Sequence, residues 1–497
     1  MRSRFKLVFT LVCILSAQLF SLSAKAALWI DTSDAYLRAD IQQLADAGFI
    51  KVPVNTYPLM WSGVAQDLAK VATDQVPENL MPAFLRVQAK YKSSQQRNAK
   101  LRAGVSSDKP MFRNFGHALR AKNELGGSYS DSAGSFYYQL SATIADSPND
   151  DKNIRFDDSY VATTLGNWVL SAGTISQWWG PSFDTALIKS NNARPMPSLL
   201  LTRNNPQAFD LPVLNWLGPW NLTAGFSKYE SERFAPDALL WNLRGSIRPF
   251  DKLEIGFSWT TQFCGKGQNC SAKIWLKSIT GQDDCSNDTA GDGSGCSKEG
   301  NQMAGFDIRY NDVWFGQPIG IYGEKGCEDS SGNLPWQIAD CGYIYGFDTR
   351  VHVQDIPVKL FTEYTTTKVA CGSDPHVFNC FYEHSTYLNG SRYYKRSLGS
   401  TYDSDARAFS LGGMAQFGDK RMTTRVRYVK LNDDGKSPGI KWTPNIPKQD
   451  VWQFETNYEM PMFEGLMNFG GTFSHIKKPD ADSDSKLRFF ANYEYSF

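Results

Sequence analysis

Lys486-Leu-Arg-Phe-Phe-Ala-Asn-Tyr-Glu-Tyr-Ser-Phe497 alternates apolar and polar residues up to the last position of the sequence. Counting back by twos from Phe497 gives Tyr495, Tyr493, Ala491, Phe489 and Leu487. The positions between are Ser496, Glu494, Asn492, Phe490, Arg488 and Lys486. Successive side chains of a strand point to opposite faces, so this stretch reads as a strand with one apolar and one wet face. The rhythm recurs upstream. Trp452, Phe454, Thr456 and Tyr458 alternate with Gln453, Glu455 and Asn457. Met467, Phe469, Gly471 and Phe473 alternate with Asn468, Gly470, Thr472 and Ser474, and Val426 and Tyr428 alternate with Arg425 and Arg427. A wall of such strands is apolar on one side and carries arginine on the other.

Composition narrows the setting. Aromatics make up 13% of the 497 residues, glycine occurs 40 times and the net charge is +1; the mean hydropathy is −0.40. Arg2, Arg4 and Lys6 precede an apolar run from Leu7 to Leu22 and a small-x-small site at Ala24-Lys25-Ala26. We therefore expect residues 1–26 to be a cleaved signal peptide that discards Cys13, and the mature chain to start at Ala27. No later run approaches the ~18 apolar residues of a spanning helix, which leaves an exported soluble protein or a transmembrane β-barrel. A terminal phenylalanine on an aromatic-alternating strand resembles the assembly signal of outer-membrane barrels. It favours the barrel over the buried edge strand of a soluble sandwich. The near-zero charge gives no reason to expect a nucleic-acid partner.

Turn signals order the rest. Ser33 or Asp34 can cap a helix carrying Leu37, Ile41 and Leu44, with Gly48 as its stop. A second helix is expected over Val64 to Ala72 and a third from near Glu78 toward Leu101. From about Phe115 the period becomes two. Gly418-Asp-Lys420, Pro249-Phe-Asp251, His352 to Pro357 and Glu459 to Glu464 read as tight turns. Residues 230–238, 264–302, 324–341, 366–404, 432–448 and 476–485 read as long polar connections. Short turns on the periplasmic side and long loops outside are the habit of outer-membrane barrels. With strands at about 115–125, 134–145, 157–165 and 167–175, and two more from residues 177–206, the total is roughly eighteen antiparallel strands. The expected domains are a periplasmic helical plug over 27–110 and a barrel with long extracellular loops over 111–497.

One stretch departs from the rhythm. Gln177-Trp-Trp-Gly-Pro181, Ser190-Asn-Asn-Ala-Arg-Pro-Met-Pro197 and Leu201-Thr-Arg-Asn-Asn-Pro206 are dense in tryptophan, asparagine and arginine. Four prolines argue against one continuous central strand. The words Trp178-Trp179-Gly180-Pro181 and Asn191-Asn192-Ala193-Arg194-Pro195 resemble the Wzi capsule-assembly family of bacterial outer-membrane proteins. Leu28 to Asp34, Leu44 to Gly48 and Pro53 to Pro58 extend the likeness. The resemblance implies an outer-membrane barrel of about eighteen strands whose periplasmic end is plugged by an N-terminal helical bundle. It also implies a lectin-like activity that holds capsular polysaccharide at the cell surface and helps assemble the capsule. It implies no catalytic residues. From the residues themselves we read the stretch as a bent hairpin that folds partly toward the lumen, with Arg194 or Arg203 as secondary ligand candidates.

The mature chain carries eight cysteines, and export permits disulfides. Local pairing gives Cys264–Cys270, Cys285–Cys296, Cys327–Cys341 and Cys371–Cys380, all in or beside the expected external loops. Their spacing does not suit a metal, and we expect neither metal nor cofactor. The carboxylates at Asp283, Asp284, Asp288 and Asp292 lack the order of a calcium loop. With five histidines and no nucleophile–base pattern, His384-Ser385 included, we expect no enzyme. The candidate binding surface is the loop where Tyr387, Tyr393, Tyr394 and Tyr402 interleave with Arg392, Lys395 and Arg396. Tyrosine faces pack on sugar C–H surfaces, and the cations meet uronate or pyruvate carboxylates; the alternative is an aromatic girdle at the membrane interface. The expected partners are surface or capsular polysaccharide and outer-membrane lipid, and the expected state is a monomer. A passive channel for anionic or sugar solutes fits a polar lumen equally well at this stage.

Overall fold

The computed structural model describes residues 27–116, 119–146, 148, 150, 152–280, 300–330, 338–354, 356–370, 380–436, 441–479 and 481–497. The expected signal peptide, the acidic run Asp283 to Asp292 and the cysteines Cys285, Cys296 and Cys371 lie outside these residues, so those expectations are not tested.

Eighteen full strands close into an antiparallel barrel. They are β1 (Asn98–Ser106), β2 (Asn123–Ala133), β3 (Phe136–Asp146), β4 (Tyr160–Leu165), β5 (Trp168–Thr174) and β6 (Pro197–Arg203). Next come β7 (Trp220–Lys228), β8 (Leu239–Phe250), β9 (Leu253–Phe263), β10 (Asn301–Trp314), β11 (Gln317–Ser330) and β12 (Ile338–Val353). The last six are β13 (Ile356–Thr366), β14 (Ala406–Phe417), β15 (Lys420–Leu431), β16 (Gln449–Met462), β17 (Gly465–Lys478) and β18 (Ala481–Ser496). The two-residue strand Ile154–Arg155 patches the wall beside β3. β18 closes the ring on β1, with Phe490 opposite Ser106 and Ser496 opposite Lys100. Leu487 and Phe489 point outward and are about 60% exposed (58% and 60%), whereas Arg425 and Arg427 face inward and are buried. The alternation in the sequence thus marks both faces correctly.

Two expectations change together. β1 lies where the third helix was expected to run on, so the barrel begins at Asn98 rather than near residue 111. In β1, Leu101 and Val105 are exposed outward, while Lys100 and Arg102 turn inward onto Glu494. The basic lumen face hid the period of two. None of the described residues between 115 and 122 belongs to a strand. With β1 in the ring, residues 177–206 need supply only one strand, β6, instead of two. The expected loop at 476–485 is also a tight connection, because β17 and β18 extend to Lys478 and Ala481. Their charged ends stand exposed on both faces, so polarity there does not mark a loop. The tight turns expected near Pro249, Gln354, Gly418 and Phe463 are all present.

Among the described residues, three α-helices precede the barrel: α1 (Ala35–Asp46), α2 (Trp61–Ala69) and α3 (Met81–Ser94). Asp34 caps α1 by accepting the backbone N–H groups of Tyr36 (3.1 Å) and Leu37 (2.9 Å). Gly48 follows the helix with φ +79°, which only glycine adopts without strain. Ile41, Leu44, Val64, Phe84 and Val87 form a shared core with Tyr57 and Trp178. Inward-facing barrel side chains hold this unit. Arg309 Nη2 donates to Asp46 at 2.8 Å, Arg248 Nη1 to the Ile50 carbonyl at 3.0 Å, and Glu254 accepts the N–H groups of Val54 and Asn55, each at 2.9 Å. The unit sits toward the short-turn end: Gly48 lies against Asp251 in the β8–β9 turn.

Candidate functional site

The segment 175–196 descends into the barrel, where water cannot satisfy its backbone, so barrel carboxylates do so. Glu363 on β13 accepts the N–H of Phe183 at 2.6 Å and of Asp184 at 3.0 Å. Glu324 on β11 accepts the N–H of Leu187 at 3.0 Å and the Ser182 hydroxyl. Asp184 pairs with Arg427 at 2.8 Å and Arg425 at 3.1 Å. Trp178 and Trp179 are buried, pairing with Tyr57 and Thr56. Gly180 is required because a Cβ there would overlap the Glu324 carboxylate, and the Pro181 carbonyl accepts from Arg38 at 2.9 Å. Asn191 Nδ2 donates to the Thr32 carbonyl (3.3 Å), and Asn192 Nδ2 to the Ser397 carbonyl (3.0 Å). This stretch is architecture that locks the helical unit, the barrel and the loop after β13 to one another.

At the long-loop end, four connections converge on a shallow notch. Residues 107–122 bring Arg113 and Arg120. The β3–β4 connection brings Asp150 and Arg155, the folded-in segment brings Arg194, and the loop after β13 brings Tyr393, Tyr394 and Arg396. The notch holds about 20 Å³, room for a carboxylate-sized group rather than a sugar ring. Five guanidinium groups crowd here beside the carboxylates of Asp150, Asp157, Asp158 and Glu124. Arg194 is clamped by Asp157 (2.8 Å) and Asp150 (2.9 Å), and Arg155 by Glu124 (2.9 Å). Arg120 and Arg396 form no direct ion pair among the described residues. Burial, with Arg120 and Arg396 beside it, pulls Arg113 well below the usual arginine range. Burial lowers Arg120 as well, and burial with Arg120 brings Arg396 down to about 10. A bound anion would relieve this crowding.

Above the notch stands a small hairpin, in which Arg392 pairs with Ser397 and Tyr393 with Arg396. Its two tip residues, Tyr394 and Lys395, have φ +45° and +64°. Tight hairpins prefer this left-handed tip, but with Asn-Gly; a tyrosine and a lysine there carry strain of roughly 1–2 kcal/mol each. Tyr394 stays half-exposed and Lys395 exposed. The Tyr394 ring packs edge-on to Tyr393 at 4.6 Å, and Arg194 lies 5.4 Å from its centroid.

The structure therefore divides the loop residues expected to bind ligand. Tyr393, Tyr394 and Arg396 line the notch, with Lys395 beside them. Tyr387, Arg392 and Tyr402 are buried scaffold. Tyr387 donates to the Cys264 carbonyl at 3.1 Å, Arg392 pairs with Asp403 and Glu383, and the Tyr402 hydroxyl donates to Asp184. Even Arg396 is partly structural, reaching Asn192 Oδ1 at 2.9 Å through Nε. Arg203 is nowhere near. It stacks on Trp220 at 3.6 Å, at the short-turn end. Arg113, Arg120, Arg155 and Asp150 escaped the sequence reading, because they stand in segments without period and meet only in three dimensions. Of the expected disulfides, Cys264–Cys270 and Cys327–Cys341 are formed, the second joining directly opposed residues of β11 and β12. His384 Nδ1 accepts the N–H groups of Thr386 and Tyr387, each at 3.1 Å, a turn-forming role.

Comparison with known proteins points one way. A family model described as capsule assembly protein Wzi matches residues 92–488. An uncharacterised 55.8 kDa protein in the cps region of Klebsiella pneumoniae is 30% identical over 322 residues, which take in 64% of this chain and 62% of that protein. Among solved structures, Wzi from Escherichia coli superposes with a TM-score of 0.79 at 24% identity, covering 94% of this chain and 99% of that one. It is described as an outer-membrane protein involved in group 1 capsule assembly and as a carbohydrate-binding β-barrel.

Proposed function

The chain belongs to the Wzi capsule-assembly family, and on that premise we propose that it retains an acidic surface polysaccharide at the outer membrane. The long-loop end faces outward and the helical unit plugs the periplasmic end, as the short-turn rule for outer-membrane barrels directs. The observation that carries the reading is the strained Tyr394–Lys395 tip above a crowded cluster of guanidinium groups. A sugar ring lies on the Tyr394 face, and its carboxylate enters the notch among Arg113, Arg120 and Arg396. No bond is made or broken, so the protein acts as a lectin and not as an enzyme. A single weak site is enough, because one polymer engages many copies and rebinding is then local. The protein works as a monomer, with outer-membrane lipid against its apolar belt.

The passive channel is the weaker reading. What favours the lectin over it is the filling of the lumen by the helical unit and residues 175–196, with backbone N–H groups of Val54, Asn55, Phe183 and Leu187 accepted by barrel carboxylates. The test is a pull-down of the purified protein on immobilised acidic polysaccharide, with a neutral glucan as control. Retention should fall steeply with salt. It should drop at least tenfold in the Arg120→Ala, Lys395→Ala double variant, about the effect of two lost charge-assisted contacts. Unchanged retention in that variant would remove the notch as the site.

A further inference from the structure

A second cavity lies toward the opposite end. It holds about 190 Å³ and is walled by α1, β1 and β15–β18. Lys90, Lys100 and Glu494 line it toward the short-turn end, and Phe115 and Glu124 line it toward the other. Along β1 it runs from Lys100 to Gly104, a depth of about 13 Å at the usual rise of a strand.

Five cations and five carboxylates line the cavity, so its wall is neutral as a whole. Lys100 and Arg102 each meet Glu494 at 2.7 Å, Arg421 meets Glu459 at 3.0 Å, and Arg425 meets Glu455 at 3.3 Å. A charged guest would have to break such a pair and leave its partner unmatched. Three side chains of the wall are differently placed. Asn457, Asn468 and Asn492 each keep a buried side-chain oxygen without a hydrogen-bond partner among the described residues. They stand on three consecutive strands, and Asn468 directly opposes Asn492 across β17 and β18. The Asn468 amide nitrogen points to Glu459 at 3.5 Å, which fixes the oxygen as the free end. Such acceptors call for O–H or N–H donors. On the facing side Tyr36 and Phe115 supply flat apolar surface, with the Tyr36 hydroxyl tied to Thr423 at 2.7 Å.

We infer that this cavity binds one or two units of a neutral saccharide presented from the periplasmic side. A neutral sugar combines several hydroxyl donors with an apolar ring face and carries no charge to desolvate. The site is distinct from the outward notch, and Glu124, which lines its inner end and pairs with Arg155, stands between the two. It gives the barrel a second point of contact with glycan, on the face where a polymer not yet at the cell surface is found.

The test uses the full chain purified in an amine-oxide detergent, free of sugar headgroups. The probes are maltose and N,N′-diacetylchitobiose, followed by saturation-transfer NMR. At least one disaccharide should give a saturable signal. Asn457→Ala with Asn492→Ala should weaken it by about tenfold or more, as two hydrogen bonds are lost. Asn468→Phe, which fills the cavity, should abolish it, and Arg194→Ala at the outer notch should leave it unchanged. Heat-modifiable migration on gels shows that each variant is folded. The inference is overturned if neither disaccharide saturates, if folded Asn468→Phe binds as well as the parent, or if Arg194→Ala removes the signal.

Discussion

Glu363 Oε1 accepts the backbone N–H of Phe183 at 2.6 Å, joining a strand of the wall to a segment that hangs inside it. The same carboxylate takes the N–H of Asp184 and the hydroxyl of Tyr322 at 2.9 Å. Hydrogen bonds to a charged group contribute about 1.5–3 kcal/mol each, and buried donors left unpaired cost more. Glu363→Ala should therefore loosen residues 177–196 while the barrel itself persists. Limited proteolysis reads the outcome: new cleavage within that segment in a barrel that still shows heat-modifiable migration. Glu363→Gln, which keeps one accepting oxygen, should fall between parent and alanine. A segment as protease-resistant in Glu363→Ala as in the parent would show that the wall does not hold it there.

Arg392 tests the division between scaffold and site. It is buried between Asp403 and Glu383, and its Nη1 also donates to the Tyr382 carbonyl at 3.2 Å. Removing one member of a buried ion pair costs about 3–5 kcal/mol, because the other charge is left unmatched. Arg392→Ala should lose polysaccharide retention together with the order of its loop, seen as a lowered thermal midpoint and early cleavage between residues 381 and 405. Arg392→Lys, which cannot span both carboxylates, should rescue little. Lost retention with unchanged thermal behaviour would instead make Arg392 a contact residue.

The same loop shows how far the sequence could be read. The apolar and polar faces of β14 to β18 follow the alternation directly, because a barrel wall separates lipid from a wet lumen at every second residue. Where both faces are wet, as at Lys477 and Lys478, or where the lumen face is basic, as at Lys100 and Arg102, the period is masked and the boundary is misplaced. Asn191 and Asn192 order their loop by side-chain-to-backbone bonds, to the Thr32 and Ser397 carbonyls. Which cations face solvent is another matter. Arg392 and Arg396 are four residues apart, yet one is sealed by Asp403 and the other borders the notch. That distinction depends on Asp403 and Asn192, one beyond the hairpin and the other on a distant segment, and no local pattern encodes it.

Asp405, fully buried beside the start of β14, gives the long-loop end a pH dependence. Burial, and after it the carboxylates of Asp434 and Asp433, push it from the usual 3.8 up to about 6. Below about pH 4 the group is protonated in both folded and unfolded chains and contributes nothing. Between about pH 4 and 6 the unfolded chain ionises first, so stability falls as pH rises, and above about 6 the cost is constant. Asp405→Asn removes the charge and still offers an oxygen to the Asp434 N–H. It should raise the thermal midpoint of the loop region at pH 7 and leave it unchanged at pH 4. Equal gains at both pH values would assign the effect to packing instead of ionisation.

The hairpin tip separates stability from binding in the opposite sense. Tyr394 and Lys395 hold left-handed backbone that glycine adopts freely. Lys395→Gly relieves that strain, roughly 1 kcal/mol, and removes an exposed cation without touching a buried contact. Tyr394→Gly relieves the same strain but gives up the edge-on contact with Tyr393, so its net stability change should be near zero. Both should retain less acidic polysaccharide, Tyr394→Gly the more, because it loses the flat face on which a sugar ring packs. A strained residue kept in place against a more stable alternative is the mark of a position held for function. Thermal midpoints measured beside retention decide the matter: variants at least as stable as the parent that bind less support the site, and variants that bind equally well reduce the tip to a tolerated irregularity.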